Sequence, residues 1–417
     1  MTESGLRYAV LRSGTAVGYA ALTVGAGTRD EGAFPAGTAH FTEHTVFKGT
    51  RRKSAPVING CLEKLGGELN AFTTKEEIVF HATVLKEDLR KAAGLLLELA
   101  TEAVFPPQAV ETERGVVIDE IVSYKDAPAD DVYDRFEEAL FKGHPLGRLI
   151  LGTSASVRKI TPEALNAFYH SRFVPGRMAL TLVADIDEGR MEALVQQLSD
   201  RYFPGMSVPA APLIRREAPL PSETTVYGMP EAAVFERSVE KRNHEVNAVI
   251  GGLAPGLYAG TARRVETILL CNLLGGPASN SVLNSLLRER YGWVYGVECN
   301  YTQYADCGIV ALSFGCERQS LDKCLRKIGD VLARSRETLL TPRRLQAASR
   351  QLLGQLFISS TSGEAQALSM GKSLVVFDGV DTREQTRDAV LSVTAEGLRD
   401  RAAEIFDPER LSRLIFL

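Results

Sequence analysis

The chain repeats itself. Thr161, Leu165, Phe173, Pro175 and Arg177 recur in the same order as Thr394, Leu398, Phe406, Pro408 and Arg410, all displaced by 233 positions. Asn59 and Gly67 recur as Asn284 and Gly292, displaced by 225, each pair bracketing a helical pattern that leads into a strand. A sequence that repeats its element order at such a spacing is constrained to build one domain twice. Residues 204–222 carry five prolines and almost no periodicity, the composition of a connector. The expected division is therefore a first domain over 1–204, a linker over 205–225 and a homologous second domain over 226–417.

Hydrophobic periodicity fills in the elements. Strands are expected at 7–12 and 17–25, joined by a turn at Ser13-Gly14-Thr15, then helices at 38–47 and 54–65. Ser54 is a good N-cap for the second, whose Val57, Ile58, Cys61, Leu62 and Leu65 keep helical spacing. A pair of strands over 66–75 and 78–85 precedes helices at 86–103, 107–124 and 131–141. A helix at 161–169, a strand at 177–184 and a helix at 187–201 close the first copy. Beyond the linker the pattern gives a strand at 244–252, helices at 258–273 and 279–290, and strands at 293–302 and 308–315. Helices at 317–336, 341–358 and 362–374 and a last strand at 411–417 follow. The fold class is α+β: two duplicated α/β domains, each a mainly antiparallel sheet with helices packed on it.

Size and charge narrow the function. With 417 residues, 45% of them hydrophobic, the chain can bury two to three cores. A formal net charge of −4 supports neither nucleic acid nor an anionic membrane as partner. The apolar runs are shorter than the roughly 20 residues of a membrane span. The N-terminus, with an acid early and Arg12 before any long apolar run, does not read as a secretion signal. Six cysteines at 61, 271, 299, 307, 316 and 324 include no C-x-x-C pair and are expected as thiols of a reducing cytoplasm.

That leaves histidine for metal chemistry. His40-Phe41-Thr42-Glu43-His44 lies in a helical stretch, where residues four apart share a face. Both imidazoles can then reach one zinc ion, and Glu43 can take a proton from a water beside it; H-x-x-E-H is the inverted zincin motif. A catalytic zinc takes three protein ligands and keeps one position for water. The helix at 107–124 offers Glu111, Glu113, Asp119 and Glu120. Glu113 and Glu120 are two turns apart on one face, bordering the apolar stripe of Val116, Val117 and Ile121, so geometry alone leaves both open. His81, His144, His170 and His244 have no such neighbours and are assigned no chemistry.

These residues resemble the pitrilysin/insulinase family of zinc peptidases, which includes the mitochondrial processing peptidase. The family follows H-x-x-E-H with a glutamate about 76 residues on, in an E-x-x-x-x-x-x-E-I context; here Glu113 to Ile121 fits, and Glu120 lies 76 past His44. The likeness continues through Phe47 to Thr50, Gly66-Gly67, Asn70 to Thr73 and Arg288 to Tyr295. The resemblance implies one Zn2+ per chain on His40, His44 and Glu120, with Glu113 supporting the site. It implies Glu43 as general base on a zinc-activated water that attacks the scissile carbonyl. Asn70, Ala71, Phe72 and Thr73 would form the edge strand that grips peptide main chain. Arg288 and Tyr295 would reach the substrate backbone or the oxyanion. Family members close such sites in a chamber, so this chain is expected to form half of a clamshell completed by a second copy or by a similar chain. The implied activity is endoproteolysis of short or unfolded peptides; the alternative is a non-catalytic or partner-dependent subunit of a processing-peptidase-like complex.

Overall fold

The computed structural model describes all residues except 125, 208–233 and 242–244. Of the expected linker, 208–225 therefore lies outside the described residues, as does His244. The first half opens with β1 (Arg7–Arg12) and β2 (Val17–Val24), then α1 (Thr38–Val46) and α2 (Ala55–Glu63). Strands β3 (Glu68–Thr73) and β4 (Ile78–Leu85) lead into α3 (Leu89–Glu102), α4 (Pro107–Tyr124) and α5 (Pro128–Leu140). Short α6 (Ser154–Val157), then α7 (Pro162–Arg172), β5 (Met178–Ala184) and α8 (Glu188–Tyr202) follow. The second half runs β6 (Glu236–Val239), β7 (Val246–Pro255), α9 (Thr261–Gly275), a π-helical segment Asn284–Arg290, β8 (Val294–Gln303) and β9 (Cys307–Cys316). It ends with α10 (Leu321–Glu337), α11 (Pro342–Ser359), α12 (Gly363–Phe377), α13 (Arg383–Leu391), α14 (Ala395–Ile405) and β10 (Ser412–Phe416).

Two five-stranded sheets result, ordered β1-β5-β2-β4-β3 and β6-β10-β7-β9-β8. The orders are the same once strands are matched in sequence. In each sheet only the outermost pair, β1 with β5 and β6 with β10, is parallel, and the other pairs are antiparallel. The duplication read from Thr161 and Thr394 is visible at those residues: each caps its helix, accepting from the backbone N–H three residues on.

The chain forms two compact units. The first takes the described residues within Met1–Val122, Arg148–Arg215 and Ile358–Val380; the second takes those within Ser123–Gly147, Arg216–Phe357 and Asp381–Leu417. Each unit thus draws on both halves of the sequence. In the first, Leu22, Val24, Phe80, Leu180 and Leu182 face a core shared with helices such as α3, while Ala21 and Val183 face Ala367 and Met370 of α12. A central strand covered on both sides reads as continuous burial, and all seven residues of β5 are buried. Gly371 lets α12 approach so closely because any Cβ there would meet Thr23 Oγ1 at 2.3 Å. In the second unit, Val132, Phe136 and Leu140 of α5 take the corresponding place against Val249, Ile309 and Phe416.

Four elements go beyond the periodicity reading. α6, β6, α13 and α14 have no counterpart among the expected elements, and the helix expected at 279–290 is instead the later π-helical segment. All four residues of β6 are exposed and α13 buries only Val390, so neither presents an apolar repeat. The six cysteines are free thiols, five of them buried.

Candidate metal centre

Helix α1 begins at an unusual place. Its N-cap, Gly37, has φ 91° and no side chain to offer the exposed N–H groups. Glu31 supplies the acceptor instead: the Ala39 N–H donates to its Oε1 at 3.0 Å. Glu31 is fully buried, and Arg148 bridges it at 3.3 Å while donating to the carbonyls of Gly32 and Phe34. A side chain six residues upstream of the cap thus anchors the first turn, immediately before His40. Burial, partly offset by the Ala39 N–H and Arg148, raises the Glu31 carboxyl to about 7.

The helix then presents His40, Glu43 and His44 toward α4. His40 Nε2 lies 3.7 Å and His44 Nε2 3.4 Å from the same oxygen of Glu120. One ligand atom from each of the three fits within 4.8 Å of the others. Two donors about 2.1 Å from a tetrahedral zinc are themselves about 3.4 Å apart, so these spacings suit a zinc ion. His40 Nδ1 and Glu120 Oε2 are buried without a hydrogen-bond partner, and the Glu120 oxygen is free to coordinate a cation instead. The donor set of two imidazoles and one carboxylate is that of a catalytic zinc site.

Glu113 stands behind this set. Its Oε1 is 2.9 Å from His44 Nδ1, the nitrogen turned away from Glu120, and its Oε2 is 2.6 Å from Lys48 Nζ. This is the carboxylate–histidine arrangement that fixes a ligand imidazole. The two glutamates left open by sequence thus divide by depth: the Glu113 side chain is 7% exposed and Glu120 41%. Glu43 is buried, and Thr73 donates a 2.7 Å hydrogen bond to its Oε2.

The electrostatics follow the packing. Burial, reinforced by the neighbouring His44, lowers His40 to about 4. Burial acts the same way on His44 but is outweighed by the hydrogen bond to Glu113, by the approach of Glu120 at 3.4 Å and by the charges of Glu43 and Glu120, which lift it to about 9. Burial raises the Glu43 carboxyl against the Thr73 hydrogen bond and the His44 charge. For Glu113, burial is overcome by hydrogen bonds from His44 and Lys48, and the carboxyl is lowered; Glu120 is lowered first by the His44 imidazole 3.4 Å away.

The other expected residues fall into two groups. β3 ends its sheet, so its outer side has no strand partner among the described residues. Alternation along it sends Leu69, Ala71 and Thr73 inward, while Asn70 and Phe72 are exposed on the opposite face. There the Phe72 ring meets His81 edge-on at 6.0 Å, and His81 pairs with Glu364 at 3.0 Å. Thr73 is therefore joined to Glu43, whereas the Asn70 and Phe72 side chains are directed away from it. Arg288 and Tyr295 belong to the second unit. Arg288 sits in the π-helical segment with its side chain 55% exposed, and Tyr295 is turned out at a bulge in β8. Glu31 and Arg148 were not foreseeable from spacing, because they act from loops. Lys48, one turn beyond His44, was foreseeable from the helical repeat.

Comparison with known proteins gives the class. Residues 8–154 match the family model described as Insulinase (Peptidase family M16), and 159–352 match the one described as Peptidase M16 inactive domain. The chain belongs to this peptidase family. A relative from Mycobacterium tuberculosis, described as an uncharacterized zinc protease, is 31% identical over 374 residues, covering 89% of this chain and 82% of that one. A Bacillus subtilis protein with the same description is 26% identical over 392 residues, covering 94% and 91%. Two solved structures share the fold at 19% identity and a TM-score of 0.85. One, from Pseudomonas fluorescens, is described as a peptidase M16 inactive domain and covers 100% of this chain and 96% of its own. The other, a protease from Helicobacter pylori, covers 99% and 97%. Among the described residues no helix is long and apolar enough to cross a membrane.

Proposed function

We propose that the chain is a zinc-dependent endopeptidase acting on short or unfolded peptides. The observation that carries this reading is Glu43, a buried carboxylate held by Thr73 beside the His40, His44 and Glu120 cluster. A zinc ion there would lower the pKa of a neighbouring water toward about 7 and polarise a substrate carbonyl. Glu43 takes the proton from the attacking water and returns it to the leaving amine. Thr73 occupies one of its oxygens and leaves the other for that proton. The open side of β3 accepts an extended peptide through main-chain hydrogen bonds, which tolerates many sequences. Arg288 and Tyr295, both exposed, serve the substrate of a closed assembly, most simply a homodimer, with a heterodimer of similar chains as the variant. A cytoplasmic setting accords with six free thiols.

The test is cleavage of a quenched fluorescent peptide alongside zinc analysis. Glu43→Gln should retain stoichiometric zinc and lose about 10²–10⁴-fold in turnover, whereas Glu120→Ala should lose the metal. Undiminished cleavage by Glu43→Gln would remove the base from this mechanism. Stoichiometric zinc in the parent without any cleavage would favour the second reading, a subunit that depends on a partner chain. That reading has its own observation, since the second matched model is described as inactive.

A further inference from the structure

The strongest unassigned feature beside the metal centre is Lys48. It lies just past the end of α1, one helical turn beyond His44, and its ammonium reaches across to α4 to sit 2.6 Å from Glu113 Oε2. The other oxygen of Glu113 is 2.9 Å from His44 Nδ1. Both oxygens of one buried carboxylate are thereby engaged, one by the His44 imidazole and one by a lysine just beyond the end of the helix that carries it. A carboxylate pinned at both oxygens has neither rotation nor rocking left, and it transmits that rigidity to the ring it holds. The charges also balance: Glu43, Glu113 and Glu120 gather three carboxylates around two imidazoles, and one ammonium with one divalent cation neutralises them.

We propose that Lys48 is a positioning residue for the metal centre, acting through Glu113 to hold the His44 ring with Nε2 aimed at the cation. The inference rests on the metal-site reading above and concerns affinity for the ion, not turnover. Two physical roles for Lys48 give opposite signs. As a mere nearby positive charge it repels a cation, so removing it tightens zinc binding. As a positioning residue its removal releases Glu113, and loss of such an outer partner costs about 10–100-fold in metal affinity.

The experiment is competition for zinc against a chromophoric chelator, using the full chain and four proteins besides the parent: Lys48→Met, Lys48→Arg, Glu113→Gln and the Lys48→Met/Glu113→Gln double variant. Thermal unfolding of each in excess chelator checks that the fold persists. Lys48→Met should bind zinc at least about tenfold more weakly, and Lys48→Arg should recover most of the loss. In the Glu113→Gln background the Lys48 change should have little further effect, because its route to His44 is already cut. Tighter binding by Lys48→Met, unchanged binding, or full additivity in the double variant would each overturn the inference. A parent that binds no zinc overturns the metal site itself, and a parent that binds zinc with indifferent variants overturns only Lys48.

Discussion

At the proposed metal site a proton and a zinc ion would compete for His44, and the surrounding carboxylates set the terms of that competition. Glu113 and Glu120 hold the imidazole so well in its charged form that its pKa stands at about 9. A cation needs the Nε2 lone pair, while Nδ1–H can stay with Glu113, so binding below that pH expels one proton. The sign is fixed: lowering the pH favours the proton, and zinc affinity falls. Between about pH 6 and pH 8 the His44 contribution is about 100-fold, or roughly 2.7 kcal/mol. His40, lowered to about 4, contributes nothing across that range. Titration calorimetry in buffers of different ionisation enthalpy reads the expelled protons, and chelator competition reads the affinity. Glu113→Gln isolates the His44 part: without the carboxylate the imidazole titrates lower, so the variant's affinity should flatten at a lower pH than the parent's. If parent and variant have parallel affinity profiles from pH 6 to 9, Glu113 does not control the His44 proton and the reasoning fails.

Two further outcomes follow from neighbouring contacts. Thr73→Val removes the hydrogen bond that fixes Glu43 and should lower kcat by about 2–10-fold with zinc content unchanged, while Thr73→Ser restores it; a loss of zinc instead would mean the strand holds the metal and not the base. Glu31 keeps its proton in the folded protein up to about 7, well above its value of 4.5 in the unfolded chain, so native stability from this group is full below pH 4.5 and declines as the pH rises to 7. Glu31→Gln lacks that decline, and urea unfolding with chelator present should show the variant gaining on the parent by up to about 3 kcal/mol over that interval. A constant difference across pH would show that Glu31 does not titrate there.

The parts of this protein visible in sequence are those whose physics is periodic. β2, β4 and β5 and the helices α3 and α10 carry apolar residues at regular spacing, and their existence follows. α13 offers no such signal, because of nine residues only Val390 is buried. Nor could periodicity tell that α12 packs with Ala21 and Val183 of the first sheet, since an apolar face declares that it is buried and not against what. The same limit governed the site. The H-x-x-E-H spacing places two imidazoles and a carboxyl on one helix. Glu113 and Glu120 share a face of α4, and only the depth at which each side chain meets α1 tells the proposed ligand from the proposed support. The Glu31–Arg148 anchor arises from loops, where no repeat constrains spacing.

The duplicated fold supplies its own control for why α1 looks as it does. α1 runs between β2 and β3, and α9 runs between β7 and β8, the matching strands of an identically ordered sheet. α9 meets its core with Thr267, Leu269, Leu270, Cys271 and Leu274, an ordinary and mostly apolar set. α1 buries His40, Thr42, Glu43 and Thr45 among its core residues, and His40 Nδ1 has no partner. Burying such groups costs free energy that the second copy shows the architecture does not require. What offsets that cost in α1 is a set of contacts belonging to its polar face: the Glu31 carboxylate at its first turn, Thr73 on Glu43, and Glu113 with Lys48 behind His44. The polar face of α1 is therefore not required by the fold, and substituting it with apolar residues should leave the sheet intact while removing the candidate site.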